Sequence, residues 1–143
     1  MTLAPHEDPP ARTAVLEMQA ALRTQGAAAD AMSVVRAHIA AVRCGDPVLM
    51  SADYAETARI KRGTMVVVPR EYFPSALQRM GSSVLVVHDL SQLSAGDQSS
   101  GALIVMHWAL SGGAAHGTRG TDTFTVVGDL ITHQQVDLHT PDF

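Results

Sequence analysis

The stretch GTDTFTVVGDLITHQQV, residues 120–136, predicts two short strands joined by a tight turn at Gly128-Asp129. If the first strand alternates, Asp122 shares a face with Phe124 and Val126, which is the face that a protein core would occupy. A carboxylate is costly to bury in a closed apolar core. The position of Asp122 therefore indicates that this face lines a pocket.

The rest of the chain places most of its helices before its strands. The second helix begins near Ala28 or Asp30 and ends before Gly45, and Asp46-Pro47 opens a further helical turn. The predicted helices cover residues 11–24, 28–43, 46–53 and 70–80, and the strands before the hairpin cover residues 54–62, 65–69, 82–90 and 102–110. Helices followed by an antiparallel meander predict an α+β domain with helices on one face of a curved sheet.

Length and composition exclude several classes of protein. The chain has 143 residues, of which 46% are hydrophobic and 17% charged, and this suits one globular domain. A net charge of −4 without a lysine or arginine cluster argues against nucleic acid as a partner. The single Cys44 excludes an intrachain disulfide. Without an apolar run of about 18 residues or a signal-peptide pattern, we predict no membrane partner and a cytoplasmic location.

The strand ALIVMHWAL, residues 102–110, is apolar on both faces. An antiparallel sheet with one solvated face would alternate instead. We therefore predict that both faces are buried, one against the helices and the other in a homodimer formed through the sheet. Burial of the second face under the N-terminal helix is the alternative.

Further polar residues fall on apolar surfaces. His38 lies near the middle of the apolar arc of the second helix, where a lone histidine is more often a core residue than a functional one. His107 shares a strand face with Leu103, Val105 and Ala109, and His133 and Gln135 share a face of the last strand. Together with Asp122 these residues predict a partly hydrated cavity, because each unpaired buried polar group costs about 1–3 kcal/mol. Desolvation raises the pKa of a carboxyl group and a nearby carboxylate raises that of an imidazole, so both could exchange protons near neutral pH.

Motifs for other chemistries are missing from the sequence. HExxH, paired CxxC, GxSxG, GxGxxG and GxxxxGK do not occur, and we predict neither a metal nor a cofactor. A convergent site of His107, His116 and His133 is a minor alternative. His88 ends a strand and is placed either at the cavity mouth or on the surface, and the terminal His6 and His139 are predicted to be solvated.

Two segments carry a resemblance to a known superfamily. Residues 34–60, VVRAHIAAVRCGDPVLMSADYAETARI, resemble the opening of the SnoaL-like, or nuclear transport factor two-like, proteins, and residues 120–136 resemble their closing strands. The resemblance covers about residues 30–138. It implies a curved, mostly antiparallel sheet wrapped around helices, a cone with an internal pocket, and often a dimer. We predict an N-terminal tail and short helix over residues 1–26 and a SnoaL-like cone-shaped domain over residues 27–143.

The resemblance also implies roles for single residues. Asp122 falls on the pocket aspartate of ketosteroid isomerases and on the acid/base aspartate of SnoaL-like cyclases, and His38 falls on an oxyanion-hole tyrosine. Strand positions that face the pocket fall on His107, His133 and Gln135. The general-base aspartate of the isomerases falls on Arg62, which argues against classical ketosteroid isomerisation.

The resulting hypothesis is a cofactor-free acid/base enzyme of the lyase or isomerase type. It would act as a cyclase, dehydratase or isomerase on an apolar, carbonyl-bearing polyketide, steroid-like or terpenoid molecule. Its predicted catalytic residues are Asp122, His38 and His107, and the predicted substrate-binding residues are His133, Gln135, Tyr54, Tyr72, Phe73, Phe124 and Arg62. For the aromatic residues, and for Trp108, core packing is the alternative. A non-catalytic ligand-binding or dimerisation module of the same fold, and a structural module with a closed core, are the rival hypotheses.

Overall fold

A computed structural model describes residues 11–93 and 101–140. The predicted tail of residues 1–10, with His6, and most of the predicted loop of residues 91–101 lie outside these ranges. The helices are α1 (Arg12–Gln25), α2 (Ala31–Cys44), α3 (Pro47–Ser51) and α4 (Pro69–Met80), with a short 3-10 turn at Gly26–Ala28. The strands are β1 (Tyr54–Arg62), β2 (Met65–Val67), β3 (Val84–Gln92), β4 (Ala102–Ser111), β5 (Arg119–Val127) and β6 (Leu130–Leu138).

Local sequence signals set the ends of the central helices. The carboxylate of Asp30 accepts a hydrogen bond of 3.1 Å from the Ser33 backbone N–H, and this caps the N-terminus of α2. Gly45 ends α2 in the left-handed conformation, at a φ of 75° that favours glycine. Asp46 then caps α3 by accepting 2.9 Å from the Val48 N–H, with Pro47 at the first helical position. A cap of this kind contributes about 1 kcal/mol. The predicted end of α2 before Gly45 and the opening of α3 at Asp46-Pro47 are confirmed, whereas α2 begins only at Ala31 and α3 ends at Ser51.

The sheet has six strands in the order β2-β1-β6-β5-β4-β3. Strands β3 to β6 form an antiparallel meander, whereas β1 pairs with β6 in parallel. The sheet is curved and unclosed, and α2 packs against β3, β4, β5 and β6 inside the curve. The predicted α+β fold with a mostly antiparallel sheet wrapped around helices is confirmed. The core lies between α2, α4 and the inner face of the sheet, where residues such as Val34, Ile104 and Phe124 are fully buried.

A bulge in β6 reverses the alternation of that strand. His133 lies opposite Thr125, but Ile131 lies opposite Val126, so β6 contains one more residue than β5 at this point. As a result Gln134 and Val136 point inward with Ile131, while His133 and Gln135 are exposed. Beyond the bulge, the residues on the inner face of β6 are therefore those that simple alternation from Ile131 would place on the outer face.

Strand β4 alternates without interruption along its length. Ile104, Met106 and Trp108 are buried against the helices, whereas Leu103 and Val105 on the other face are half-buried. The predicted burial of one face against the helices is thus confirmed. The homodimer predicted to cover the other face stays a prediction.

A buried ion pair attaches α1 to the rest of the domain. The carboxylate of Asp53, which is 0% exposed, receives Nη2 of Arg23 at 3.2 Å and Nε2 of Gln19 at 2.9 Å. Nε of Arg23 also lies 2.6 Å from Oδ2 of Asp129 in the β5–β6 turn. One guanidinium from α1 therefore holds together the start of β1 and the hairpin at the far end of the chain.

None of the helices among the described residues has both the length and the apolar character that crossing a membrane requires.

Candidate active site

A cavity lies between α2, α4 and the inner face of the sheet, with a volume of about 60 Å³. Most of its wall is apolar, and the polar side chains that line it are His38, Tyr72, Trp108, Asp122 and Gln134. Only two of its lining residues, Val42 at the end of α2 and Met80 at the end of α4, are half-buried instead of buried. These two residues therefore mark the mouth of the cavity.

Asp122 lines this cavity and is 6% exposed. Nε1–H of Trp108 donates to Oδ1 at 2.9 Å, and Nε2–H of Gln134 donates to Oδ2 at 2.8 Å. Burial raises the pKa of Asp122 to about 7, although the two hydrogen bonds lower it, and the charge of Asp137 adds to the increase. The carboxyl group can therefore gain or lose a proton near neutral pH.

The indole of Trp108 reaches Asp122 because β5 leaves room for it at Gly120. A Cβ atom at position 120 would lie 2.8 Å from Cζ2 of Trp108. Gly120 pairs with Trp108 across the β4–β5 ladder, while Met106 pairs with Asp122. The absence of a side chain at Gly120 thus leaves room for the indole ring beside β5, where its N–H reaches the carboxylate.

His38 projects from α2 into the same cavity and is 3% exposed. Its Nδ1 lies 3.1 Å from the carbonyl oxygen of Met50, which can only accept, so Nδ1 carries the ring proton. Its Nε2 lies 3.2 Å from the hydroxyl oxygen of Tyr54. Burial lowers the pKa of His38 to about 4, and the Met50 carbonyl opposes this only in part. The prediction that a nearby carboxylate would raise this pKa is wrong, because desolvation outweighs the other effects.

Tyr54 and Gln134 connect His38 with Asp122. The Tyr54 hydroxyl donates to Oε1 of Gln134, whose Nε2–H donates to Asp122. We call His38, Tyr54, Gln134 and Asp122 the buried hydrogen-bond chain. It brings together residues of α2, β1, β6 and β5, although Tyr54 itself lies behind the cavity wall.

Aromatic rings enclose the imidazole of His38. The ring centroids of Tyr54, Phe73 and Phe124 lie 5.1, 5.2 and 5.8 Å from that of His38. Phe73 lines the cavity, whereas Phe124 is fully buried outside the lining. These contacts exclude water from the imidazole and account for the strength of its desolvation.

Tyr72 and Arg62 interact with each other, but only Tyr72 lines the cavity. Tyr72 lines the cavity, and its pKa is raised by burial and by the charge of Asp122, while the charges of Arg62 and Arg79 oppose the increase. Arg62 is half-buried at the end of β1 and is not part of the lining. It is therefore close enough to influence Tyr72 but does not form the cavity wall.

Three predicted site residues lie on the outer face of the sheet. His107 is exposed and its Nδ1 lies 3.0 Å from Oγ1 of Thr121, because the regular alternation of β4 directs Trp108 inward instead. The bulge in β6 likewise places His133 and Gln135 outside. The prediction that these three side chains face the pocket is wrong.

The remaining histidines do not form a separate centre. His88 and His116 are exposed, and Nδ1 of His116 accepts a hydrogen bond of 2.8 Å from the Gly112 N–H. Within residues 11–93 and 101–140, no three His, Cys, Asp or Glu side chains are grouped so that they could hold a metal ion. The alternative of a three-histidine site is therefore not supported.

Sequence reasoning overlooked Gln134 and the contact between Trp108 and Asp122. Counting back by two from the apolar Val136 would have placed Gln134 on the inner face, because the bulge lies before it. No comparable signal identifies the Trp108 contact, since it depends on the register between β4 and β5.

Comparison with known proteins gives structural relatives only. No family model matches the chain, and no curated protein matches its sequence. A nuclear transport factor two-like protein from Pseudomonas aeruginosa is 17% identical, with a TM-score of 0.52 over 90% of this chain and 98% of that one. A proposed ketosteroid isomerase from Shewanella frigidimarina is 12% identical, with a TM-score of 0.57 over 86% and 97% of the two chains.

A third similar structure is a proposed aromatic ring hydroxylase from Novosphingobium aromaticivorans. It is 17% identical, with a TM-score of 0.59 over 88% of this chain and 92% of that one. At such identities the likeness concerns the fold and not the activity. With its helices enclosed by a six-stranded curved sheet, the chain has the nuclear transport factor two-like fold that its two segments resemble.

Proposed function

We propose that the cavity is an active site for cofactor-free acid/base chemistry on a small apolar molecule that carries a carbonyl group. The observation that carries this proposal is Asp122, a buried carboxyl group in the wall of a mostly apolar cavity. Its hydrogen-bond donors, Trp108 and Gln134, are both neutral. A carboxyl group in such surroundings is suited to proton transfer, because neither of its protonation states is strongly preferred at neutral pH.

Asp122 is the principal acid and base in this proposal. As a carboxylic acid it would donate a hydrogen bond to the substrate carbonyl, and as a carboxylate it would remove a proton from the adjacent carbon. His38 is neutral with its pKa lowered to about 4, and it serves as a second acceptor beside the substrate. Isomerisation, dehydration and aldol-type cyclisation are the reactions that such a pair can support without a cofactor.

The volume of the cavity favours a small substrate. Ligand pockets for drug-sized molecules generally measure about 300–1,000 Å³. The present space of about 60 Å³ suits a short chain or a small ring, and a steroid-sized molecule would require the mouth between Val42 and Met80 to widen.

A non-catalytic ligand-binding module is the second candidate, and Arg62 favours it. In ketosteroid isomerases, which the sequence resembles, the corresponding position carries the general base, whereas Arg62 cannot accept a proton. In this alternative the same cavity binds a small metabolite through Asp122 and Gln134 without turnover.

An isosteric substitution tests the catalytic proposal. A thermal-shift screen with small ketones, enones and hydroxyketones would identify ligands, and NMR would then follow their conversion. We expect Asp122→Asn to lower turnover by about 10²–10⁴-fold while binding is retained, since general acid/base catalysis contributes that much. The matched control is Asp89→Asn, an exposed acid on β3 whose charge is not among those that act on Asp122.

Two outcomes would contradict the catalytic role. Full turnover by Asp122→Asn would show that Asp122 is not the acid or base. Tight binding without conversion by the wild type would favour the ligand-binding module.

We also propose that two copies of the chain pair through the outer face of the sheet. Leu103, Val105 and Ala109 on this face of β4 are half-buried in the single chain, and a partner would cover them. Light scattering coupled to size-exclusion chromatography would give the mass in solution, and Val105→Arg is expected to convert a dimer to a monomer.

A further inference from the structure

The hydroxyl group of Tyr54 faces two acceptors with one proton. Its oxygen lies 3.2 Å from Nε2 of His38 and is also bonded to Oε1 of Gln134. Because Nδ1 of His38 carries its proton towards the Met50 carbonyl, Nε2 of the neutral ring is an acceptor. The Tyr54 proton cannot satisfy both acceptors at once.

The side-chain amide of Gln134 fixes the direction of the bonds beside it. Such an amide accepts at its oxygen and donates at its nitrogen. With Oε1 facing Tyr54 and Nε2 donating 2.8 Å to Oδ2 of Asp122, the amide suits an ionised Asp122. In that arrangement the Tyr54 proton points to Gln134, and Nε2 of His38 has no donor.

Protonation of Oδ2 reverses the two hydrogen bonds of Gln134 and gives Nε2 of His38 a donor. When the new hydroxyl faces Gln134, two donors meet and repel, and the Gln134 amide turns over to accept from the Asp122 hydroxyl. Its N–H then donates to the Tyr54 oxygen, and the Tyr54 proton is free to donate to Nε2 of His38. Trp108 continues to donate to Oδ1, and each polar group of the chain has a partner.

We propose that Gln134 is a positioning residue whose amide turns over when Asp122 gains or loses a proton, and thereby controls whether Nε2 of His38 is hydrogen-bonded or free. Only one proton is bound or released in this change, at Asp122, and the Tyr54 proton stays on its oxygen. The inference rests on the proposed function and deepens it: once Asp122 has given its proton to a substrate, the Gln134 amide turns back and Nε2 of His38 loses its donor.

Few other ionisable groups act on the buried hydrogen-bond chain. Asp53, in the loop before β1, and Tyr72, on α4, act on the pKa of Tyr54, and Asp137 on β6 acts on that of Asp122. Arg62 on β1 and Arg79 on α4 act on the pKa of Tyr72. Burial raises the pKa of Tyr54 well above its usual value, so its hydroxyl keeps its proton throughout the neutral range. The pH response of the chain near neutrality therefore belongs to Asp122.

An NMR titration of the full chain without any ligand tests the inference. The carboxyl ¹³C signal of Asp122 reports its protonation, and the ¹⁵N signal of His38 Nε2 reports whether that nitrogen accepts a hydrogen bond. His38→Asn assigns the imidazole signal by its loss. We expect the Nε2 signal to move upfield by several ppm on the acid side of the Asp122 midpoint, separately from the later protonation of the ring.

Substitutions within the chain should remove this step. Gln134→Met eliminates the amide, and Tyr54→Phe eliminates the hydroxyl while keeping the ring, so neither should show the Nε2 response. Gln135→Met, on the exposed face next to Gln134, should keep it. If Gln134→Met does not fold, Tyr54→Phe decides alone.

Persistence of the step in the Tyr54→Phe variant would overturn the inference, since it would show that charge acts directly between Asp122 and His38. The inference would also be overturned if Asp122 titrated in the wild type while the ¹⁵N signal of His38 Nε2 did not respond. The proposed function is judged separately, by the turnover of Asp122→Asn, and either idea can fail while the other stands.

Discussion

Asp53 and Asp122 are both buried carboxylates, but the protein compensates them differently. Asp53 receives the guanidinium of Arg23 and the amide of Gln19 and lies where α1 meets the start of β1. Asp122 receives only the N–H groups of Trp108 and Gln134 and faces a cavity. Burial raises the pKa of each, yet for Asp53 a full positive charge opposes the increase.

The difference separates a structural site from a functional one. A buried charge that has a charged partner joins elements of the fold, and removing the partner is costly. A buried acid with neutral donors is poorly compensated in its ionised form, and such strain is typical of active sites. The two acids therefore predict opposite responses to substitution.

The largest expected effect is the pH dependence of stability caused by Asp122. Its pKa is about 7 in the folded protein, against an ordinary value of 3.8, so between these pH values the folded state holds a proton that the unfolded chain has released. Stability must then fall as the pH rises through this range, by on the order of 4 kcal/mol in total. We expect Asp122→Asn, which cannot ionise, to be more stable than the wild type above pH 7 and similar to it near pH 4.

Urea unfolding at a series of pH values measures this difference directly. Asp89→Asn provides the control, because that exposed acid on β3 is not among the charges that act on Asp122, so its removal should leave the pH dependence of stability unchanged. A constant difference between the wild type and Asp122→Asn from pH 4 to pH 8 would show that Asp122 is not destabilised by burial.

Removal of the cation beside Asp53 should act in the opposite direction. Arg23→Met leaves Asp53 buried without its charged partner, and we expect the free energy of unfolding to fall by about 3 kcal/mol, at the low end for buried pairs since Arg23 is one-third exposed. Arg12→Met is the matched control on the same helix. Its pair with Asp46 is more exposed, so its loss should cost less than about 1 kcal/mol. Equal costs for the two variants in chemical denaturation would contradict the structural role of Asp53.

The sequence predicted those parts of the fold that depend on local signals. Asp30, Gly45 and Pro47 determine helix ends from within a few residues, and alternation within β5 alone placed Asp122 on the inner face. The parallel pairing of β1 with β6 could not be predicted in this way, since α4 and four strands separate them along the chain.

The errors at the site have the same origin. The bulge that exposes His133 is a mismatch between two strands, so counting forward from Ile131 places His133 on the wrong face, and only counting back from Val136 gives the right one. The pKa of His38 depends on rings contributed by β1, α4 and β5. One strand is thus enough to place Asp122 or Gln134 on the inner face, whereas the contact of Trp108 with Asp122 depends on the register between β4 and β5.

The smallest expected effect distinguishes the two faces of β6. Gln135 is exposed and donates to Asp137 at 3.2 Å, so Gln135→Ala should change the free energy of unfolding by no more than about 0.5 kcal/mol. Gln134→Ala should cost about 1–3 kcal/mol, because it leaves Tyr54 and Asp122 without their common partner. The residues are adjacent and chemically identical, so packing and register alone can separate their effects. If thermal and urea unfolding gave the two variants the same stability, the bulge would not reverse the strand, and Gln134 would not face the buried acid.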